Sequence, residues 1–249
     1  MLEKVKHSEP SFTIAAHPHL SIYITGATKG RLYFWKFEHE NDCALDYSAI
    51  NSAYNIRKLK LNSYGDKIAV NDTEGNLYIF DINSKAPVLN FNKYKILDYA
   101  FVNEGSIICA TGIEDLVVYD TLMPIRKCEI VKEKVGGQML LYLHDKNQVL
   151  LFNSQEEVKL YDIRMHKFFN QPLFNYSPSS FITSVALSGE ENIIITGDNV
   201  GAVKIWDIGS TFSLRESLVG FEEEVKQVVV TPNNMLYALG SKGKFIYKS

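Results

Sequence analysis

Short apolar runs separated by polar turns recur along the whole chain, and they predict β-strands rather than helices. The stretch Ile195 to Ile208, ITGDNVGAVKIWDI, is representative. Isoleucines end the first run, Gly197 and Gly201 bracket a polar turn, and a second apolar run leads to Trp206. Two short apolar runs around a glycine-containing turn are typical of a β-hairpin.

Five other stretches share this pattern, at residues 24–37, 69–82, 109–121, 150–163 and 238–249. Each of the six has an aromatic residue at or near its end, namely Trp35, Phe80, Tyr119, Tyr161, Trp206 and Tyr247. Successive aromatics are 45, 39, 42, 45 and 41 residues apart. Repeats of about 40–45 residues with four strands each are typical of propeller blades. The sequence therefore predicts an all-β fold, a β-propeller with six recognisable blades.

The predicted strands assign residues 11–249 to the propeller and residues 1–10 to a charged lead. Blade six reaches the last residue of the sequence without a fourth strand. Two alternatives follow: the lead supplies a closing strand, or the edge stays open and pairs with another chain. Four glycines precede closing aromatics by four or five residues and are predicted to lie in hairpin turns: Gly30, Gly75, Gly201 and Gly243.

Composition narrows the function classes. The chain has 249 residues, a net charge of −3 and a pI of about 6.1. A nucleic-acid-binding surface usually gives a high pI, and no run approaches the ~20 apolar residues of a membrane helix. Three cysteines without CxxC spacing are typical of a reduced, intracellular protein. We expect a cytoplasmic protein that neither binds nucleic acid nor inserts into a membrane.

Motif searches give no sign of catalysis. The patterns GxSxG, GxGxxG, GxxxxGK[ST] and HExxH are absent, so we expect no enzyme activity and no cofactor. His17 and His19 flank a proline, which predicts a turn better than a metal site. The stretch 240–244 is predicted to be a hairpin turn. Glu222 to Glu224 predicts a solvated acidic turn, the alternative being a contact for a basic partner.

Five aromatics lie within fourteen residues around a loop with two prolines. We expect Phe181 and one of the pair Phe168 and Phe169 to face the core. Phe174 and Tyr176 are then the candidates for exposure, and exposed aromatics on loops are typical interface anchors. The loop is therefore a predicted partner-binding site.

The closing aromatics resemble the ends of WD repeats. Trp206-Asp207 matches the Trp-Asp pair of that family, whereas the other repeats carry softened versions such as Phe80-Asp81 and Tyr119-Asp120. The Gly-His pair of WD repeats is absent. This departure predicts that the buried polar network of many WD repeats is missing and that apolar packing stabilises the blades instead.

A closer resemblance lies in the order of five stretches: HPHLSIYITGATKGRLYFW, LYIFD, VYDTL, LYDIR and GAVKIWDI. Together they resemble the C-terminal WD-repeat region of the DmX-like, or rabconnectin alpha, family, over nearly the whole chain. The resemblance implies a non-catalytic scaffold that acts in assembly of the vacuolar proton ATPase and in organelle acidification. It also implies vacuolar ATPase subunits and a rabconnectin-beta-like protein as partners, and a peripheral location at vacuolar or endosomal membranes.

One motif favours an alternative function. The stretch Tyr161 to Arg164 resembles the aromatic-Asp-x-Arg signature of WD-repeat substrate receptors for cullin ubiquitin ligases. That resemblance implies that Arg164 reaches a partner carboxylate.

Overall fold

The computed structural model of the protein describes most of the chain. The described residues are 9–36, 43–48, 53–84, 87–92, 94–123, 129–152, 157–169, 174–175, 180–188, 192–209, 212–219, 221–231, 233–243 and 245–248. The chain divides into two compact units, Met1–Val135 and Gly136–Ser249. Each unit contains three antiparallel sheets, which we number 1 to 6 in chain order.

The first unit contains sheets 1, 2 and 3, each with four strands in sequence order. Sheet 1 consists of β1 (Ser11–Ala16), β2 (Ile22–Ala27), β3 (Arg31–Lys36) and β4 (Cys43–Ser48). Sheet 2 consists of β5 (Ile56–Leu61), β6 (Lys67–Asp72), β7 (Leu77–Asp81) and β8 (Pro87–Phe91). Sheet 3 consists of β9 (Asp98–Val102), β10 (Ile107–Thr111), β11 (Leu116–Asp120) and β12 (Glu129–Glu133).

The second unit contains sheets 4, 5 and 6. Sheet 4 consists of β13 (Met139–Leu143), β14 (Gln148–Phe152), β15 (Glu157–Asp162) and two short strands on the edge of β15, β16 (Lys167–Phe168) and β17 (Phe174–Asn175). Sheet 5 consists of β18 (Ile182–Leu187), β19 (Ile193–Asp198), β20 (Ala202–Asp207) and β21 (Ser213–Val219). Sheet 6 consists of β22 (Val225–Val230), β23 (Leu236–Gly240) and β24 (Phe245–Lys248).

Sheet 6 has three strands among the described residues, as predicted for blade six. Residues 1–8, which contain most of the predicted closing lead, lie outside the described ranges, so closure by the lead stays a prediction. The helical segments in the described ranges are two 3-10 turns, Thr28–Gly30 and Asn103–Gly105. Neither has the length or the apolar character needed to cross a bilayer.

Within each unit, the core lies between consecutive sheets. Leu77 and Ile79 of sheet 2 are fully buried in one cluster with Tyr99 and Ile108 of sheet 3. In the second unit, the apolar residues of sheet 5 pack on sheet 4 through one cluster and on sheet 6 through another. Each sheet therefore buries its apolar side chains against its neighbour in the chain, which explains why apolar runs recur at the period of the repeat.

The closing aromatics lie where the sequence predicts them, in the third strand of each sheet. Those with described side chains are buried: Trp35, Phe80, Tyr119, Tyr161 and Trp206. The side chain of Tyr247 lies outside the described part. Trp206 is 7% exposed, which confirms the predicted burial.

The predicted glycine turns are confirmed as well. Gly75, Gly201 and Gly243 join the second and third strands of their sheets with φ angles of 87°, 94° and 81°. Gly30 has a φ of 71° and ends the 3-10 turn at the same place in sheet 1. Positive φ is the conformation that residues with a Cβ adopt reluctantly, which explains the regular spacing of these glycines.

The sequence predicts that a buried polar network is missing from the blades, but the closing tryptophans of sheets 1 and 5 each make one buried hydrogen bond. The indole Nε1 of Trp35 donates to Thr25 Oγ1 and that of Trp206 donates to Thr196 Oγ1, each over 2.9 Å and each in a buried setting. Both threonines lie two residues beyond the strand partner of the tryptophan. In sheet 2 the strand partner of Phe80 is Ile68, and the residue two positions beyond it is Val70, which has no hydroxyl. A hydroxyl acceptor thus occurs where the aromatic carries an N–H.

Candidate protein-interaction surface

Arg164 is presented by a tight turn between β15 and β16. The buried Asp162 uses Oδ1 to accept from the backbone N–H groups of Arg164 and Met165, over 2.9 and 3.1 Å. The Nη2 atom of Arg164 lies 3.3 Å from Asp162 Oδ2, and its side chain is 66% exposed. Asp162 therefore positions the arginine, while about two thirds of the Arg164 side chain stays accessible to a partner.

The electrostatics of this turn favour a charged carboxylate. Burial by itself raises the pKa of Asp162, but the hydrogen bonds from the Arg164 side chain and from two backbone N–H groups outweigh it. The net effect holds the pKa of Asp162 below its ordinary value. These hydrogen bonds thus favour the charged form of Asp162 at the end of β15.

The predicted aromatic loop is attached to the same strand. Phe174 is in β17, where it pairs with Val158 of β15, so its backbone belongs to the sheet rather than to a free loop. The side chain of Phe174 and all of Tyr176 lie outside the described residues. Phe174 pairs with Val158 near the start of β15, whereas Arg164 bonds to Asp162 at its end, and at about 3.3 Å per residue these two strand positions are about 13 Å apart. The two predicted contact residues therefore border the same strand, β15, but at opposite ends of it.

Three apolar side chains between residues 165 and 181 are exposed and extend the candidate contact surface around Arg164 and Phe174. Met165 and Phe169 are exposed, and Phe181 is 55% exposed, so the expectation that Phe181 faces the core is wrong. The cause is a pair of hydrogen bonds with the turn of sheet 5: Phe181 N donates to Asn199 Oδ1 and Asn199 N donates to Phe181 O. This pairing lies before β18 begins, so alternation within that strand gives no information about the ring.

Of Phe168 and Phe169, one is expected to face the core, and Phe168 is the one that packs on the sheet. Its ring packs edge-on against Tyr161, with centroids 5.0 Å apart. Phe168 and Phe169 therefore point different ways, one into sheet 4 and one into solvent. Exposed phenylalanine, methionine and arginine side chains, as at Phe169, Met165 and Arg164, are residue types enriched at protein interfaces.

The remaining predicted sites have structural roles. His17 Nδ1 accepts from the backbone N–H groups of His19 and Leu20, and His19 Nε2 lies 2.8 Å from Ser63 O, which gives the predicted turn. Within the described residues, no group of three His, Cys, Asp or Glu side chains could hold a metal ion. Burial raises the pKa of the Cys109 thiol to about 12, so it stays protonated and is a poor nucleophile.

The acidic stretch Glu222 to Glu224 differs from the predicted solvated turn. Glu223 is half-buried, and its Oε2 accepts from Ser241 Oγ over 3.1 Å and from Lys242 N over 2.8 Å. It thereby holds the turn between β23 and β24. Residues 240–243 form the described part of the hairpin turn that the sequence predicts at 240–244.

Comparison with known proteins adds a second line of evidence. No family model matches the chain. DmX-like protein 1 of Mus musculus is 25% identical over 98% of this chain, and DmX-like protein 1 of Homo sapiens is 24% identical over 92%. The chain spans only 9% and 8% of the length of these two proteins.

A solved structure agrees with the fold. The β-propeller domain of Cps50 (Swd1) from Myceliophteria thermophila superposes with a TM-score of 0.78 at 14% identity, covering 97% of this chain and 84% of that one. The chain therefore has the WD-repeat β-propeller fold and is similar, along nearly its whole length, to a segment of DmX-like protein 1, as the sequence motifs predict.

Proposed function

We propose that the chain is a non-catalytic protein-interaction scaffold that takes part in assembly of the vacuolar proton ATPase and in organelle acidification. The observation that carries this proposal is the similarity to DmX-like protein 1 over 98% of the chain. Two structural observations support it. The polar contacts of His17, Asp162 and Glu223 hold turns. The exposed Arg164, Met165 and Phe169 are residue types that are common at protein interfaces. The proposed location is cytoplasmic, peripheral at vacuolar or endosomal membranes.

The proposed contact surface consists of Arg164, Met165, Phe169, Phe174 and Tyr176. Exposed aromatics bury a large area on binding at a low cost in side-chain entropy. The two prolines of the loop restrict its unfolded freedom and so reduce the cost of ordering it. Vacuolar ATPase subunits and a rabconnectin-beta-like protein are the proposed partners.

An affinity pull-down with mass spectrometry tests the proposal. The tagged chain is expected to recover vacuolar ATPase subunits and a rabconnectin-beta-like protein from a eukaryotic lysate. A double Phe174→Ser, Tyr176→Ser variant is expected to melt at the parental temperature and to lose these partners. Recovery of every partner at the parental level by the folded variant would exclude the loop as the interface. A parental chain that recovers none of them contradicts the ATPase role.

One observation favours a second candidate, a substrate receptor for a cullin ubiquitin ligase. Arg164 is held by Asp162 yet is mostly exposed, as the aromatic-Asp-x-Arg signature requires. The same pull-down distinguishes the two functions, because a cullin adaptor then replaces the ATPase subunits. Arg164→Ala is expected to abolish recovery of the adaptor, whereas Arg57→Ala, at an exposed arginine on sheet 2, is the matched control.

A further inference from the structure

A cleft of about 260 Å³ lies between sheets 5 and 6, both within the second unit. Its floor is aliphatic and consists of Ile193, Ile195, Ile205, Val230 and Leu236. Ile195 and Leu236 are buried there, whereas Ile193, Ile205 and Val230 are the partly exposed border of the core between the two sheets. A volume just under the ~300–1,000 Å³ of small-molecule sites suits one or two aliphatic side chains.

The rim of the cleft is polar and includes Ser188, Arg215, Glu216 and Asn234. Arg215 is exposed and makes no ion pair or hydrogen bond with any residue in the part of the chain that the structure describes. Glu216 also lines the cleft, but it already has an interaction of its own. Arg215 is thus the charge at this rim that remains available to a ligand.

Arg215 is a charged residue at a strand position where the equivalent residues of other sheets are apolar. Four sheets carry a β-bulge at the same place, where the pairing between the third and fourth strands skips one residue of the fourth strand. The skipped residues are Ala44, Val88, Ile130 and Arg215. Bulges redirect a side chain away from the regular alternation of a strand. Among these four described bulges, that of sheet 5 carries the charged residue, and Arg215 lines the aliphatic cleft.

We propose that this cleft binds a short acidic–aliphatic segment of a partner protein. A leucine, isoleucine or valine side chain of the segment lies on the aliphatic floor, and a neighbouring aspartate or glutamate pairs with Arg215. The proposal rests on the proposed scaffold function, because it names the class of partner segment that such a scaffold takes at this site.

The chemistry selects this class of segment over others. The aliphatic residues of the floor offer no polar side chain, and the buried Ser188 of the same cleft already bonds to Asn192 Oδ1 and Ile193 N. A hydroxyl or amide buried there therefore loses its hydrogen bonds to water without replacement. Arginine is the side chain best suited to a carboxylate, because its planar fork donates two parallel hydrogen bonds. An acidic residue next to an aliphatic one satisfies both halves of the site.

Fluorescence polarisation with a labelled peptide tests the proposal on the purified full chain. The probe contains two leucines flanked by aspartates. One control peptide replaces the leucines by serine, and another replaces the aspartates by asparagine. We expect the probe to bind at least tenfold more tightly than either control and to weaken with rising salt, since the ion pair is exposed. Equal binding of the three peptides would overturn the proposal.

Substitutions at Arg215 locate the binding. Arg215→Ala is expected to weaken binding of the probe about tenfold or more, whereas Arg57→Ala, the skipped residue of a bulge in β5, leaves it unchanged. Arg215→Glu is expected to prefer a peptide in which lysines replace the aspartates. An Arg215→Ala variant that melts like the parent and binds the probe equally well contradicts the proposal.

This outcome is separable from that of the scaffold function. If the pull-down recovers ATPase subunits and the probe does not bind, the cleft proposal fails and the scaffold stands. If the probe binds through Arg215 while the pull-down recovers no ATPase subunit, the cleft is a peptide site and the ATPase role fails.

Discussion

The turns between second and third strands are held in two different ways in this protein. In sheets 2 and 5 the carboxylate comes from the turn itself: Asp72 Oδ1 accepts from Glu74 N and Asn76 N, and Asp198 Oδ1 accepts from Val200 N and Ala202 N. These partners are two and four residues away. The hydrogen bonds that hold these turns therefore need no residue from outside the turn.

In sheets 1 and 6 the second strand ends with Ala27 or Gly240, which have no carboxylate, where sheets 2 and 5 have Asp72 and Asp198. The carboxylate that binds the turn comes instead from a glutamate two residues before the first strand of the sheet. Glu9 accepts from Thr28 Oγ1 and pairs with Arg31, while Glu223 binds the turn after Gly240. The bonds to Thr28 Oγ1 and Lys242 N each span 19 residues of sequence. These turns therefore depend on another segment of the chain, and a cap of this kind couples the turn to the start of its sheet.

The largest effect is expected at a cap within the turn. Asp72 is fully buried, and Asp72→Ala leaves two backbone N–H groups and the Asn76 amide without their acceptor. We expect a loss of about 2–3 kcal/mol in the free energy of unfolding, measured by urea denaturation. Asp72→Asn keeps one acceptor oxygen and is expected to cost clearly less. Equal losses for the two variants would show that charge, rather than the hydrogen bonds, stabilises the turn.

A smaller effect is expected at the distant cap. Glu223→Ala removes bonds to Ser241 and Lys242, both of which are exposed and regain water as a partner. We expect a loss of about 1 kcal/mol, with faster amide exchange at Lys242. The matched control is Glu222→Ala at the exposed neighbouring position, which should change neither quantity. A loss as large as that of Asp72→Ala would remove the distinction between the two kinds of cap.

The tryptophan sheets allow a finer test. Trp206→Phe removes the donor to Thr196, and Thr196→Val removes the acceptor, so a double-mutant cycle measures the pair. The double variant recreates the combination of Phe80 and Val70 in sheet 2. We expect it to be more stable than the sum of the single losses by ~0.5–1 kcal/mol. Strict additivity would show that the indole bond contributes nothing.

The smallest effect concerns a carboxylate that reaches between sheets 2 and 3. Asp98 Oδ1 lies 2.6 Å from Lys58 Nζ and 3.2 Å from Lys60 Nζ. Burial lowers the pKa of Lys60 to about 8, against the opposing attraction of Asp98. The unfolded chain therefore binds more protons than the folded one between about pH 8 and 10, and stability rises with pH in that window.

Chemical denaturation at pH 7.5, 8.5 and 9.5 measures this contribution. We expect Lys60 to add a few tenths of a kcal/mol per pH unit, because its side chain is about a third exposed. Lys60→Met is expected to flatten the rise, and Lys159→Met, at another lysine paired with a carboxylate, serves as the control. A parental chain whose stability falls through this window would contradict the shifted pKa.

Much of the fold could be predicted because its signals are local. The first three strands of each sheet alternate apolar and polar residues, as β5 (IRKLKL) does, or are almost wholly apolar, as β14 (QVLLF) is, so the sequence itself marks them. The fourth strands carry a weaker signal in the sequence. β12 (Glu129–Glu133) and β21 (Ser213–Val219) are largely exposed and lack a clear apolar face, so periodicity does not mark them.

The parts of the site that sequence could not predict depend on pairing between distant residues. Arg215 is distinguished by a shift in strand register, which composition cannot reveal. Glu223 looks like one member of an acidic run until the turn it caps, 18 residues later, is seen beside it. Phe181 lies outside the regular alternation because its backbone pairs with Asn199. The Trp206–Thr196 bond could have been predicted from sequence, because Ile-Thr-Gly occurs in the second strand of both hairpins that end in tryptophan.

The glutamate before β1 determines where the chain can be shortened without loss. A fragment that begins at Ser11, the predicted boundary of the propeller, keeps every residue of sheet 1 but lacks the carboxylate that binds Thr28 and Arg31. A fragment that begins at Glu9 keeps this carboxylate but places a charged amino terminus beside it. Recombinant fragments and fusions should therefore retain several residues ahead of Glu9, and a fusion partner joined directly to Ser11 would leave the first hairpin without its cap.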